Sequence, residues 1–239
     1  MTIAVRLRNV TAAELSKLGT LPTAIVAAAG TVLAAGGIAA ALAANPATQR
    51  SSAVAVTAQT IPYVQVGLIL LGILPVAHEY AGGQLRTTLM AVPDRGLLVA
   101  AKTIAVTIAA ALTGTVTVAV GRAVAALTRH TAGVRRGEAG VLLDAAGYLV
   151  LSALLAHAVA LLVRNLTAAL VAMLGLVLIV SPLLASVSEG ARWLPDRAAA
   201  QLYDPTDTVL TAGTGTLVAV AWTTVIAGIA TVQFIHRDA

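Results

Sequence analysis

Residues 145–163 read AAGYLVLSALLAHAVALLV and, after Arg164 and Asn165, residues 166–188 read LTAALVAMLGLVLIVSPLLASVS. Both runs are apolar all round a helix, not along one stripe, and about 20 such residues rising 1.5 Å each cross a ~30 Å hydrocarbon core. Two membrane-spanning helices joined by a tight polar turn follow. Transmembrane β-strands would alternate polar and apolar residues over about ten positions, and neither run does so.

Four further stretches free of Asp, Glu, Lys and Arg, 18–49, 51–78, 103–121 and 208–236, are long enough to span as well. Trimmed at their turn signals, the six helices are expected at about 20–43, 56–77, 97–121, 143–163, 166–187 and 210–233. The composition agrees: of 239 residues 59% are hydrophobic, 10% charged and 3% aromatic, where a soluble domain needs roughly a quarter charged. That excludes a soluble enzyme, a disordered chain and a disulfide scaffold. With no cysteine, thiolate metal sites and thiol catalysis are excluded too. The net charge of +5 sits at membrane edges, which suits lipid headgroups better than nucleic acid.

Arg6, Arg8 and Lys17 precede an apolar run ending in Ala41-Leu42-Ala43, which has the look of a secretion signal. The run is nearly twice the 7–15 residues of a signal's apolar core, so a retained first span is expected. Before it, Ile3, Leu7, Val10, Leu15 and Leu18 fall on one side of a helix and Arg6, Arg8, Asn9 and Lys17 on the rest. Residues 3–18 therefore read as an interfacial helix lying in the membrane plane. Three basic residues before the first span against Arg50 after it place the N-terminus inside and, after six crossings, the C-terminus inside too. Arg122, Arg129, Arg135 and Arg136, in the segment 121–142, then lie outside, against the usual bias.

Catalytic and ion-coupling motifs are missing from the sequence. His78-Glu79 begins like a zinc-binding H-E-x-x-H helix, but position 82 is Gly82. No serine lies in a G-x-S-x-G turn, and no G-x-x-x-x-G-K-[ST] phosphate loop occurs. His157 is the one ionisable side chain well inside a span, and it reads as a hydrogen-bonded contact between helices; Asp144 lies at a helix end. No catalytic residue, metal ligand or bound cofactor is expected.

The informative loop follows the second span. In residues 78–95, HEYAGGQLRTTLMAVPDR, Gly82 and Gly83 permit a break, Leu85, Leu89 and Val92 form a helical stripe, Pro93 ends it and Asp94 can cap the third span. A short helix over 83–93 joined to two spans is expected. This loop resembles the first cytoplasmic loop of ABC transporter permeases of the type 2 exporter class, bacterial multidrug-type: Glu79, Gly83, Leu89, Pro93, Arg95 and Lys102 match its pattern in order, with Arg86, Thr87 and Thr88 similar as well. Glu14-x-x-Lys17 resembles the same family's elbow helix, Arg164-Asn165 its tight second inside turn, and Trp193-Leu194-Pro195 its outer helical segment, here within 188–207.

The resemblance implies an all-α membrane protein in which residues 1–239 form a single transmembrane domain of six helices, with an N-terminal elbow helix and a short cytoplasmic coupling helix. It implies a permease subunit that pairs with a separate cytoplasmic ATPase and moves a lipophilic or drug-like substrate outward through the cell membrane. ATP and Mg would be held by the partner, and a second copy or a different permease would complete the dimer. Leu85 and Leu89 would anchor the coupling helix in the ATPase, Arg86 would make a polar contact, and Glu79 and Arg95 would fix that helix to its neighbours. Gly36-Gly37, and Gly213 with Gly215, offer small-residue surfaces for close helix approach. An accessory membrane protein without transport activity is the alternative; a secondary carrier would have to rely on His157 alone.

Overall fold

The computed structural model describes residues 2–48, 50–81, 83–129, 138–205 and 209–236, with Ala81, Leu85 and His236 described by backbone alone. Arg135, Arg136 and Gly82 lie outside the described residues. Among those described, the chain is helical throughout, without strands. Helix α1 is Ile3–Thr20, α2 Pro22–Ala44, α3 Ala53–Ala81, α4 Leu85–Ala91, α5 Arg95–Thr128 and α6 Glu138–Val163. Then come α7 (Leu166–Gly175), α8 (Ser181–Val187), α9 (Pro195–Ala200) and α10 (Ala212–His236). Six segments are long and apolar enough to cross a membrane: α2, α3, α5, α6, the combined α7–α8 and α10. This is a multi-pass membrane protein.

Helices α3 and α6 form the centre, and the sequence lets them touch backbone to backbone. A Cβ on Gly72 would stand 2.2 Å from the Ala153 carbonyl oxygen, so only glycine fits this crossing. One turn further along α6, His157 Nδ1 lies 3.2 Å from the Gly72 carbonyl, the interhelical hydrogen bond expected of a histidine alone in an apolar span. Helix α2 closes on α3 where a Cβ on Gly67 would strike Thr31 Oγ1 at 1.8 Å. The core then runs as three apolar clusters among the described residues, one around Ile61, Leu68 and Leu149, one around Ile73, Leu98 and Met173, and a smaller one around Ala39, Val56 and Ala125.

Two of the four glycines expected to offer close-approach surfaces, Gly36 and Gly215, are used inside the chain. Gly36 faces Val120 and Val124 of α5, and a Cβ on Gly215 would meet the Ala198 carbonyl oxygen at 2.2 Å, so α9 packs tightly on α10. Of the other two, Gly37 has nothing within 4 Å and Gly213 meets only Thr211 Oγ1 at 4.0 Å.

The fifth span is not one regular helix. Pro182 has no N–H for the Leu178 carbonyl, and its ring crowds that carbonyl. The chain answers with a π-helical turn over Leu176–Val180 between α7 and α8. Beyond α8 it turns back: a 3₁₀ segment, Glu189–Trp193, leads into α9, whose Ala198 and Ala199 are buried. Two bonds hold this return, Trp222 Nε1 to the Trp193 carbonyl at 3.0 Å and Ser181 Oγ to Asp196 Oδ1 at 2.7 Å.

Candidate functional site

The ends of α3 and α10, the starts of α5 and α7, and the helices α1 and α4 share one end of the bundle. Four charged residues meet there, three of them in an interior position. Glu14, Glu79 and Lys102 are buried, each about 5% exposed or less, and a lone charge at such a place would be costly. Each is paired instead. Lys102 Nζ of α5 donates to Glu14 Oε2 of α1 at 2.7 Å and lies 2.7 Å from Glu79 Oε1 of α3. Lys17 Nζ donates to Glu14 Oε1 at 2.6 Å and to Glu79 Oε1 at 3.0 Å. Two carboxylates and two ammonium groups alternate, so the node carries no net charge.

A fifth group extends the node to α4. Thr88 Oγ1 lies 3.4 Å from both Lys17 Nζ and Glu79 Oε1. Helix α4 is thereby tied to the same atoms that join α1, α3 and α5. Burial works to raise the Glu14 carboxyl pKa, but Lys102 and Lys17 outweigh it and hold the group below the usual carboxylate value. Burial works to lower the Lys17 pKa, and Glu14 and Glu79 together carry it above the ordinary lysine value. Both ions are stabilised as ions.

The loop geometry follows from its residues. Gly83 adopts φ 64, the left-handed region that costs glycine nothing. Helix α4 covers Leu85–Ala91, shorter than the 83–93 expected, because Val92, at φ −133 and ψ 85, is kept out of the helical region by the proline that follows it. Pro93 is exposed, and Asp94 caps α5 by accepting from the Leu97 N–H at 3.0 Å.

Two expectations change here. Leu89 does not point outward as an anchor, because it packs back with Val92 and Tyr80 on the cluster around Ile73 and Leu98. Among the described side chains of α4, Arg86, Thr87, Met90 and Ala91 face outward, Met90 being 78% exposed. Nor do Glu79 and Arg95 serve one junction. Glu79 belongs to the lysine node, whereas Arg95 Nη1 donates to the Phe234 and Ile235 carbonyls, each at 3.2 Å, at the end of α10.

Arg164 reaches the same helix end. Its Nη2 donates to the Gln233 carbonyl at 3.1 Å, and its guanidinium stacks 5.7 Å from the Tyr80 ring centre and 5.9 Å from that of Phe234. Two cations at the carbonyl end of a helix match its negative pole. The turn between α6 and α7 sets this up: Arg164 sits at φ 57, and the Asn165 side chain accepts from the Ala168 N–H at 3.0 Å as an N-cap.

Sequence reasoning reached Glu14, Lys17, Glu79 and Lys102 separately, and the fold brings all four together. It missed Met90 and the end of α10, and it reached Thr88 only through the family resemblance, not as a member of the node. A buried charge in an apolar chain signals that a partner exists, but a threonine or methionine carries no such signal. No protein-family model matches the chain, and no curated protein is significantly similar to it.

Proposed function

We propose that this chain is the membrane-spanning permease subunit of an ATP-driven exporter, working with a separate cytoplasmic ATPase. One observation carries the reading: the Glu14–Lys17–Glu79–Lys102 node, buried except for Lys17, fastens α1, α3 and α5 together, and Thr88 fastens α4 to them. Force applied to α4 reaches two spanning helices through the Thr88 contacts and the short ion pairs behind them, whereas a loose loop would absorb it. In this reading α4 is the coupling helix and α1 the elbow helix, and the end bearing the node faces the cytoplasm. ATP and Mg belong to the partner, since the sequence has no phosphate-binding loop. A second copy, or a different permease, completes the transporter in the cell membrane.

Met90, with Arg86 and Thr87, forms the face that α4 offers to the ATPase. The test is gentle extraction of the tagged chain from its native membrane, followed by identification of what accompanies it. A stoichiometric P-loop ATPase that is lost when Met90→Asp and Arg86→Glu are combined supports the proposal. A clean preparation without ATPase, under conditions that keep known transporter complexes whole, overturns it in favour of an accessory membrane protein.

A further inference from the structure

Helix α1 carries charge that the bundle does not use. Its one acid, Glu14, is turned inward to Lys102, and Lys17 is committed to the same node. Arg6 and Arg8, the only charged side chains in residues 2–13, are exposed. The node stands where α3 ends and α5 begins, so α1 lies at one membrane surface and its two arginines stand among headgroups.

An apolar groove of about 420 Å³ runs from this helix into the bilayer. Leu15, Leu18 and Gly19 form its wall on α1, and Ala28 of α2, Leu71 of α3 and Leu112 of α5 line it further on. Nothing lies within 4 Å of where a Cβ on Gly19 would stand, which leaves the mouth open. Leu71 is eight residues from Glu79, and Leu112 is ten from Lys102. Counted from the node, the groove therefore descends roughly 12–15 Å, the hydrocarbon depth of one leaflet, about 15 Å. Arg8, Leu15 and Gly19 recur at i, i+7 and i+11 and share one face of α1, with Arg8 about two turns, roughly 10 Å, from the mouth. Arg6, nine positions from Leu15, lies on the opposite side of the helix.

We infer that this groove holds an acyl chain of a phospholipid with an anionic headgroup, and that Arg8 binds the headgroup. A zwitterionic headgroup answers its phosphate with its own ammonium group, whereas an anionic one leaves net charge for Arg8, a preference of about fivefold. The inference goes beyond the export reading and needs no ATPase. Because the chain has no cysteine, one bimane label can be attached at Leu112→Cys in the groove, or at Leu217→Cys near the start of α10, at the other end of the bundle, as a reference; both positions are exposed. The full chain is placed in phosphatidylcholine discs doped with acyl-brominated phosphatidylglycerol or acyl-brominated phosphatidylcholine, whose bromines quench the label. Half-quenching at Leu112→Cys should need about fivefold less of the anionic lipid, and at Leu217→Cys the two lipids should quench alike. Arg8→Gln should remove the difference at Leu112→Cys, and Arg6→Gln should keep most of it, with thermal unfolding unchanged because both arginines are exposed. Equal quenching by the two lipids at Leu112→Cys, the same preference at both labels, a preference that survives Arg8→Gln, or equal loss in the two arginine variants overturns the site. Failure here leaves the co-purification test standing, and failure there leaves this result standing.

Discussion

Lys102 of α5 donates a 2.7 Å hydrogen bond to Glu14 of α1, although 88 positions separate them. With Lys17 and Glu79 this bond closes a ring of alternating charge in which the two carboxylates and Lys102 are almost wholly removed from solvent. Such a ring is stable only while complete. Removing one member strands a buried ion, which costs far more than the ring contributes over an apolar replacement.

Lys102→Met alone should therefore destabilise the protein by on the order of 3 kcal/mol, and Glu14→Gln by a similar amount. The double variant should lose less than the two together, since each change removes the charge the other would leave unpaired. Thermal unfolding of the four proteins in one detergent measures the cycle, and strict additivity would contradict the pairing.

Acid should loosen the same junction. The folded-state pKa of Glu14 lies below its unfolded value, so its contribution is present above about pH 4.3 and disappears as the pH falls through the folded value. Lys17, shifted upward, contributes below about pH 10.4 and fails only as the pH rises through its folded value. Asp196 acts in the opposite sense to Glu14, since burial, partly offset by the Ser181 hydrogen bond, pushes its pKa up. The difference between wild type and Glu14→Gln isolates Glu14. That difference in unfolding temperature should be steady from pH 6 to 8 and shrink between about pH 4.5 and 3.

Two glycine-to-alanine changes should move in opposite directions. At Gly72 the new methyl would stand 2.2 Å from the backbone oxygen of Ala153, and backbone cannot rotate away, so α3 and α6 must separate at a cost of about 1–3 kcal/mol or more. At Gly37 nothing lies within 4 Å, and alanine should stabilise α2 by up to about 1 kcal/mol. Thermal unfolding of the two variants tests this, and equal effects would count against the α3–α6 contact.

At Arg164 the backbone and the side chain can be separated. Alanine removes the bond to Gln233 and both ring contacts while keeping the φ of 57 that a side chain resists. Glycine removes the same contacts and accepts that φ freely. Arg164→Ala should therefore unfold at the lower temperature of the two, by about 1 kcal/mol of stability.

Much of this protein is legible from its amino acids. Six runs free of strong charge dictate six spanning helices, because a bilayer demands that backbone polar groups be satisfied within each segment. Gly83, Pro93, Asp94 and Asn165 mark their turns and caps through local chemistry that needs no distant partner. Which side of a short helix faces the bundle is another matter. The stripe Leu85–Leu89–Val92 suits either an external partner or the protein's own core, and only the packing of Leu89 and Val92 against the cluster of Ile73 and Leu98 turns those two inward and leaves Met90 outside.

The charged residues divide along the same line. Glu14, Lys17, Glu79 and Lys102 are individually conspicuous in a chain with 10% charge, and each by itself demands a partner. Which charge answers which depends on how α1, α3 and α5 cross, a relation among residues far apart in sequence. Arg95 would serve Glu79 as well by charge alone, but the fold turns it toward the carbonyls at the end of α10. Hydropathy and local turn chemistry act over one or two helical turns, so the sequence by itself determined the spans and their breaks. Ion pairing and glycine contacts act across helices, so only the tertiary structure decided the node, the Gly72 crossing and the groove beside α1.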